Sequence, residues 1–299
     1  MFNNIKQKIK NNIGKDIYEF LSHSKNYVTA DVVSKGLAFI SIPIFTRLLV
    51  PSEYGILAVF TSFVGFFSIV YGLGVRTGVT IYYFEKTDDF DEFYGSNILL
   101  IIVWGLLLSG VLYFLRNYVQ RFFKIPLLLI YLGIGVTFSK SIFQLYKSYL
   151  QASKQSKKIA KLTIIRAVGI IVIGIIITLL LKDDKFYGKA TAKLIMSFLF
   201  LIISLKAILS ISKVKFEKKY LKYSLILGLP IVLHLISSRI LKTFDQIIIN
   251  QLVGPGETGL YSFAFKIGMI LNIIAMGLQR AWSPMLYERL NQKKYKDIE

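Results

Sequence analysis

Eight apolar segments, each near the ~20 residues that a helix needs to cross a bilayer, occupy most of this 299-residue chain. They fall at about 29–49, 54–84, 94–116, 127–149, 162–182, 188–211, 224–251 and 258–283. A backbone in hydrocarbon must satisfy its own hydrogen bonds, so runs of this length predict helices. Turn residues sit at the joins: Val50-Pro51-Ser52, Lys182-Asp183-Asp184-Lys185 and Gly254-Pro255-Gly256. Charged residues make up 18% of the chain, against roughly 25% in soluble domains. That balance excludes a disordered chain and argues against an ordinary soluble enzyme. There is no cysteine, which excludes disulfides, Cys-zinc sites and thiol catalysis. Two histidines exclude a multi-His metal site. No metal, cofactor or nucleic-acid partner is expected; the net charge of +20 is read against a bilayer instead.

The distribution of Lys and Arg orients the chain. With the N-terminus inside, the inner connections and tails carry 19 basic residues and the outer ones seven. Both termini are therefore placed in the cytoplasm. Residues 1–26 lack a signal-peptide core. Phe2, Ile5, Ile9, Ile13, Ile17 and Phe20 recur at helical spacing among lysines. They read as an amphipathic helix on an anionic leaflet, or as a loosely ordered basic arm.

An offset of 204 residues superimposes Arg47–Gly55 on Gln251–Gly259. Leu48, Pro51, Glu53 and Gly55 reappear as Leu252, Pro255, Glu257 and Gly259. In the same register Lys35 meets Arg239, Arg76 meets Arg280 and Tyr83 meets Tyr287. Apolar coincidences between spans are cheap, but a Pro, a Glu, a Gly and two basic residues in one register are not. Six spans lie within the offset, so both copies face the same way and form a parallel repeat. The fold expected is an all-α integral membrane protein with about eight transmembrane helices. After the arm at 1–26, a complete six-helix lobe spans 27–213. Residues 214–299 begin a second lobe, which a full copy would carry to about residue 417. The chain is thus expected to be a fragment, a truncated frame or a shortened variant.

Phe45-Thr46-Arg47-Leu48-Leu49 through Pro51-Ser52-Glu53-Tyr54-Gly55 resembles the loop after the first helix of polysaccharide (O-antigen type) flippases. Asp245, Leu252-Val253-Gly254, Glu257, Gly259-Leu260-Tyr261 and Ala264 resemble the start of their second lobe. Gln246 stands where members often carry a basic residue. These flippases belong to the MATE-like multidrug/oligosaccharidyl-lipid/polysaccharide exporter superfamily. The resemblance implies movement of an undecaprenyl-pyrophosphate-linked oligosaccharide from the cytoplasmic to the outer leaflet, by alternating access. The lipid-linked oligosaccharide and the bilayer are the expected partners, with a polysaccharide polymerase or chain-length machinery beside them.

Charges inside the spans suit such cargo. An ionisable residue there costs roughly 2.5–3.5 kcal/mol on insertion scales. Eleven cations fall within spans, while the acids there are chiefly Asp31 and Asp245. Lys147 and Lys206 lie within snorkelling reach of the inner face. Arg239 and Lys242 lie roughly 22–27 Å along span 7, beyond that reach. Candidate ligands for a pyrophosphate are Lys35, Arg76, Lys140, Arg166, Arg239, Lys242 and Arg280, since guanidinium groups match phosphate oxygens in a fork. Asp31 and Asp245 either pair with Lys35 and Lys242 on their own helix faces, or couple transport to a proton or sodium ion.

Other classes remain in view. A MATE-like drug exporter needs acids to hold cationic drugs, and this interior is basic. A lipid II-type flippase shares the basic cavity. A membrane polymerase or acyltransferase needs a catalytic constellation, and none is recognised, so no enzyme is expected. A truncated, non-transporting remnant is the remaining alternative.

Overall fold

The computed structural model describes residues 15–85 and 88–269, with side chains from residue 32 onward. The elements in this range are helices: α1 Lys15–Leu48, α2 Pro51–Gly72, α3 Val75–Glu85, α4 Phe90–Phe114, α5 Arg116–Phe123, α6 Leu127–Ala152, α7 Ser156–Leu180, α8 Phe186–Ile211 and α9 Lys218–Leu252. A further helix, α10, covers 255–269. Six of them (α2, α4, α6, α7, α8 and α9) are long and apolar enough to cross a membrane. They carry the second to seventh predicted spans, and the chain is an all-α membrane protein. The first predicted span lies within α1, which is continuous from Lys15, so the boundary drawn at residue 26 is not a break in the helix. Residues 1–14 and the far part of the eighth span lie outside the described residues.

Lipid is the solvent this surface requires. In the apolar window of α7, mean hydropathy is 2.6 and only 11% is buried inside the protein. Leu106, Leu107, Phe114, Leu179 and Leu180 likewise face outward. An apolar exterior this continuous is unfavourable in water and neutral in hydrocarbon. Inside, α1 packs on α7, α7 on α8, α8 on α6, and α6 on α2 and α3, with α9 laid against α2 and α3. The helices run between two ends. One carries Val50, Lys182–Lys185 and Gly254 and is called here the Pro51 end; the other carries Asp89, Ser153–Gln155 and Ser212–Glu217. Each end has its own aromatic core. Phe45, Phe60, Phe63 and Phe123 pack at the Pro51 end. Tyr82, Phe93, Tyr94, Tyr146 and Tyr220 pack at the Asp89 end.

Two departures from the predicted spans have local causes. The long second span divides into α2 and α3 at Leu73 and Gly74, whose φ angles are 46° and 66°. Two successive left-handed residues cannot continue a right-handed helix. Gly74 also lies so close to Gly228 on α9 that a Cβ on either would overlap the other's backbone. The stretch after the third span, read as a loop, forms the short α5. It ends at Lys124, in left-handed geometry with φ 46°.

The repeated turn closes on itself. A Cβ at Gly55 would overlap the carbonyl oxygen of Pro255, and a Cβ at Gly259 would overlap the carbonyl oxygen of Pro51. Pro51 and Pro255, like Gly55 and Gly259, are 204 residues apart. The contact is therefore reciprocal, as across a two-fold axis. Glu53 has its own task. Its carboxylate accepts the Val50 N–H at 3.1 Å and the Lys185 N–H at 2.6 Å, tying the start of α2 to the α7–α8 turn. A carboxylate at a helix N-terminus also meets the positive end of the helix dipole.

Gly55→Leu is expected to drive the two turns apart and destabilise the protein by about 1–3 kcal/mol or more. Thermal unfolding in detergent reads this as a lower midpoint. Gly36→Ala, placed inside α1 where a Cβ meets nothing within 4 Å, is the control and does not lower the midpoint, since Ala is the better helix former.

Candidate functional site

Thr61 lies about ten residues into α2, roughly 15 Å from the Pro51 end. Two cations converge on it. Lys193 Nζ on α8 donates to Thr61 Oγ1 at 2.8 Å. Arg239 Nη2 on α9 donates to the Thr61 carbonyl at 3.1 Å. Gly65, one turn further along α2, leaves the slot that the Arg239 guanidinium fills; a Cβ there would overlap it. Arg239 Nε is buried with no hydrogen-bond partner.

Other cations line the same interior. Lys189, one turn before Lys193, sits 3.9 Å above the Phe45 ring. Lys193 itself lies over Phe60 at 5.3 Å. Lys266 on α10 donates to the Tyr54 hydroxyl at 2.8 Å and lies 4.2 Å from that ring. Arg166 on α7 donates to Ser197 Oγ at 2.9 Å, covers Phe143 at 5.3 Å, and keeps a buried Nε without a partner. Lys140 on α6 feels the charges of Arg166, Arg239, Arg76 and Lys147. Lys193 feels those of Lys189, Lys266, Lys140 and Arg166. By helical rise, Lys189 and Lys193 lie roughly 5 and 10 Å below the Pro51 end, and Lys266 reaches back to Tyr54, roughly 5 Å below it on α2. Lys140, Arg166 and Arg239 lie at roughly 20 Å, near mid-bilayer. The cations thus descend in steps from one end to the middle.

Their partners are neutral. Among the described residues, ion pairs form at the Asp89 end: Lys213 with Asp91 at 2.8 Å, and Lys215 with Glu92 at 3.2 Å and Glu217 at 3.1 Å. Asp91 holds the Lys213 ammonium above its usual pKa, and Glu217 with Glu92 does the same for Lys215. No described carboxylate reaches the interior cations. Cation–π contacts offset about 0.5–2 kcal/mol each. Removing an ion from water costs several kcal/mol, so a deficit remains. An interior built this way is complementary to a multiply charged anion, and forked guanidinium groups suit phosphate oxygens.

The structure therefore brings together Lys140, Arg166 and Arg239 of the residues chosen from sequence. Arg76 is accessible on α3, within electrostatic reach of Lys140. Lys35 and Lys242 are exposed and are not among the charges that Lys140 or Lys193 feels. Arg280 and the Asp31 side chain lie outside the described residues. Asp245 is exposed and accepts the Tyr261 hydroxyl at 2.8 Å instead of pairing with Lys242. Gln246 is buried and its Oε1 accepts Ser62 Oγ at 2.8 Å, so a neutral side chain fills that position by hydrogen bonding across α2 and α9. Lys189, Lys193 and Lys266 were missed. Lys189 is four residues from Lys193 and on the same helix face, a spacing visible in the sequence.

A family model described as "Polysaccharide biosynthesis protein" matches residues 25–289. Lsg locus protein 1 of Haemophilus influenzae is 24% identical over 286 residues, which cover 90% of this chain and 66% of that protein. The chain therefore spans just under two thirds of the length of this relative. Among solved structures, an inward-facing multidrug resistance MATE family transporter of the MOP superfamily superimposes with a TM-score of 0.63 at 16% identity. That match covers 79% of this chain and 58% of the transporter. A mutant of the Vibrio cholerae MATE transporter VcmN gives 0.57 at 13% identity, covering 93% of this chain and 67% of that one. At these identities the structural likeness establishes the fold alone.

A cation held for binding, and not for stability, has a double signature. Lys193→Met removes an unpaired charge and keeps the side-chain volume, so the melting temperature is expected to hold or rise. The same variant is expected to weaken inorganic pyrophosphate binding by about tenfold, the loss of one charge-assisted contact of roughly 1.5 kcal/mol. Thermal unfolding and calorimetry on the same preparation measure both.

Proposed function

This chain belongs to the polysaccharide biosynthesis protein family, and on that premise we propose that it serves a flippase for a lipid-linked oligosaccharide. The cargo is an oligosaccharide joined through pyrophosphate to undecaprenol. It moves from the cytoplasmic to the outer leaflet of a bacterial or archaeal cytoplasmic membrane, with the Asp89 end facing the cytoplasm. The carrying observation is the basic interior without a described carboxylate, because an anionic head group supplies the counter-charge it lacks. Arg239, Arg166 and Lys140 hold the pyrophosphate near mid-bilayer, with Lys193, Lys189 and Lys266 toward the outer side and Arg76 toward the inner.

Residues 27–213 form one lobe and 214–299 begin the second. The reciprocal Gly55–Pro255 and Gly259–Pro51 contacts support this division, since they relate the two copies of the turn by a two-fold axis. Alternating access then proceeds by rocking one lobe on the other, the two lobes being related by an axis along the membrane normal. Asp31 and Asp245 are the candidates for ion coupling. A polysaccharide polymerase or chain-length machinery takes the product on the outer face, and no bond is made or broken by this protein. A MATE-type exporter of cationic drugs shares the fold, but cation repulsion by this interior argues against such cargo.

The double variant Arg76→Ala with Arg239→Ala is expected to abolish surface polysaccharide in a strain that depends on the complete transporter, while the protein still inserts. Surface polysaccharide by immunoblot, beside membrane-fraction abundance, decides it. Normal polysaccharide in that strain would remove both residues from the transport path.

A further inference from the structure

Arg239 faces two environments. On one side it joins the cations around Thr61. On the other it borders a cavity of about 430 Å³ between α2, α5 and α9. The cavity walls are aromatic, with Phe66, Phe67, Tyr118, Phe122 and Phe244, and Arg239 is the one charge among the described residues that line it. The volume lies within the roughly 300–1,000 Å³ of ligand sites. The flank is open to the surroundings of the bundle: Tyr118 is 71% exposed and Phe122 53%.

We infer that this cavity receives the apolar chain of a lipid phosphate, at the point where the chain leaves the phosphate group. This rests on the flippase reading, and the chain is that of the carried lipid. Two observations carry it. The first is charge complementarity. Arg239 Nε is buried and unpartnered, and no described carboxylate pairs with the guanidinium, so an anionic group satisfies it. The second is direction. A phosphate at Arg239 has cations on the α6, α7 and α8 side and an aromatic cavity on the α5 side. An apolar chain attached to that phosphate gains by entering the cavity and loses by entering the basic interior. Arg239 thus marks the joint between head group and chain. α5 supplies Tyr118, Val119, Phe122 and Phe123 to the cavity, which gives this short helix a task.

The test compares inorganic pyrophosphate with farnesyl pyrophosphate, binding each to the purified full chain in detergent. Wild-type protein is expected to hold farnesyl pyrophosphate about tenfold or more tighter, from the buried apolar chain. Phe122→Ala removes a wall at an exposed position and so spares the fold. Thr243→Trp fills the cavity from α9. Both are expected to erase most of that ratio and to leave pyrophosphate affinity unchanged, whereas Arg239→Ala weakens both ligands. A wild-type ratio near one, or a ratio that survives both cavity variants, overturns the chain site while the anion-binding reading stands. Failure of wild-type protein to bind either ligand overturns the flippase reading itself, and the chain site with it. Vesicles of phosphatidylglycerol form the last arm. If they block farnesyl pyrophosphate while leaving pyrophosphate bound, the cavity holds a resident phospholipid and the inference fails.

Discussion

Hydrocarbon offers neither hydrogen bonds nor counterions, and this structure answers both demands in different ways. Backbone groups are satisfied within helices, which is why the described elements are helical and why the break at Leu73 and Gly74 is packed against α9. Charge is handled differently. The interior cations lean on ring faces, hydroxyls and a carbonyl, while the described ion pairs lie at the Asp89 end and Asp245 on α9 accepts a tyrosine hydroxyl. A stability-driven design would have paired these charges or replaced them with leucine. Left without a counter-charge they cost stability, and an anionic ligand would offset that cost.

Small residues make that arrangement possible. Gly65 admits the Arg239 guanidinium beside α2, so a cation from α9 and one from α8 meet on Thr61. Gly74 and Gly228 bring α3 and α9 into backbone contact further along. At the Pro51 end the reciprocal glycine contacts hold the two copies of the turn together, and Glu53 anchors one copy to the α7–α8 turn. Contacts of this kind are discrete, because a packed backbone-to-backbone approach is either made or lost.

Much of the fold was legible because periodicity and length carry it. The second to seventh predicted spans match helices of the described chain to within a few residues at most ends. Pro, Glu and Gly recur at one offset in the sequence, and in the structure Gly55 meets Pro255 and Gly259 meets Pro51. The short α5 was not legible. Eight residues between two spans give too little periodicity to distinguish a helix from a loop. Lys140, Arg166 and Arg239 were legible as cations within spans; that they share one interior was not. Lys242 was as deep as Arg239 but three residues along α9, where it is exposed.

The sequence by itself determined that this chain crosses a membrane many times, that its turn motif recurs, and that its spans carry more cations than acids. Those are properties of composition, run length and register, which need no third dimension. Only the tertiary structure decided which cations share one interior. Depth along a helix is set by sequence position, but the direction a side chain faces is set by which neighbour its helix packs against. Lys193 and Arg239 meet because Thr61 and Gly65 lie on the face of α2 between them, and no one-dimensional reading contains that fact.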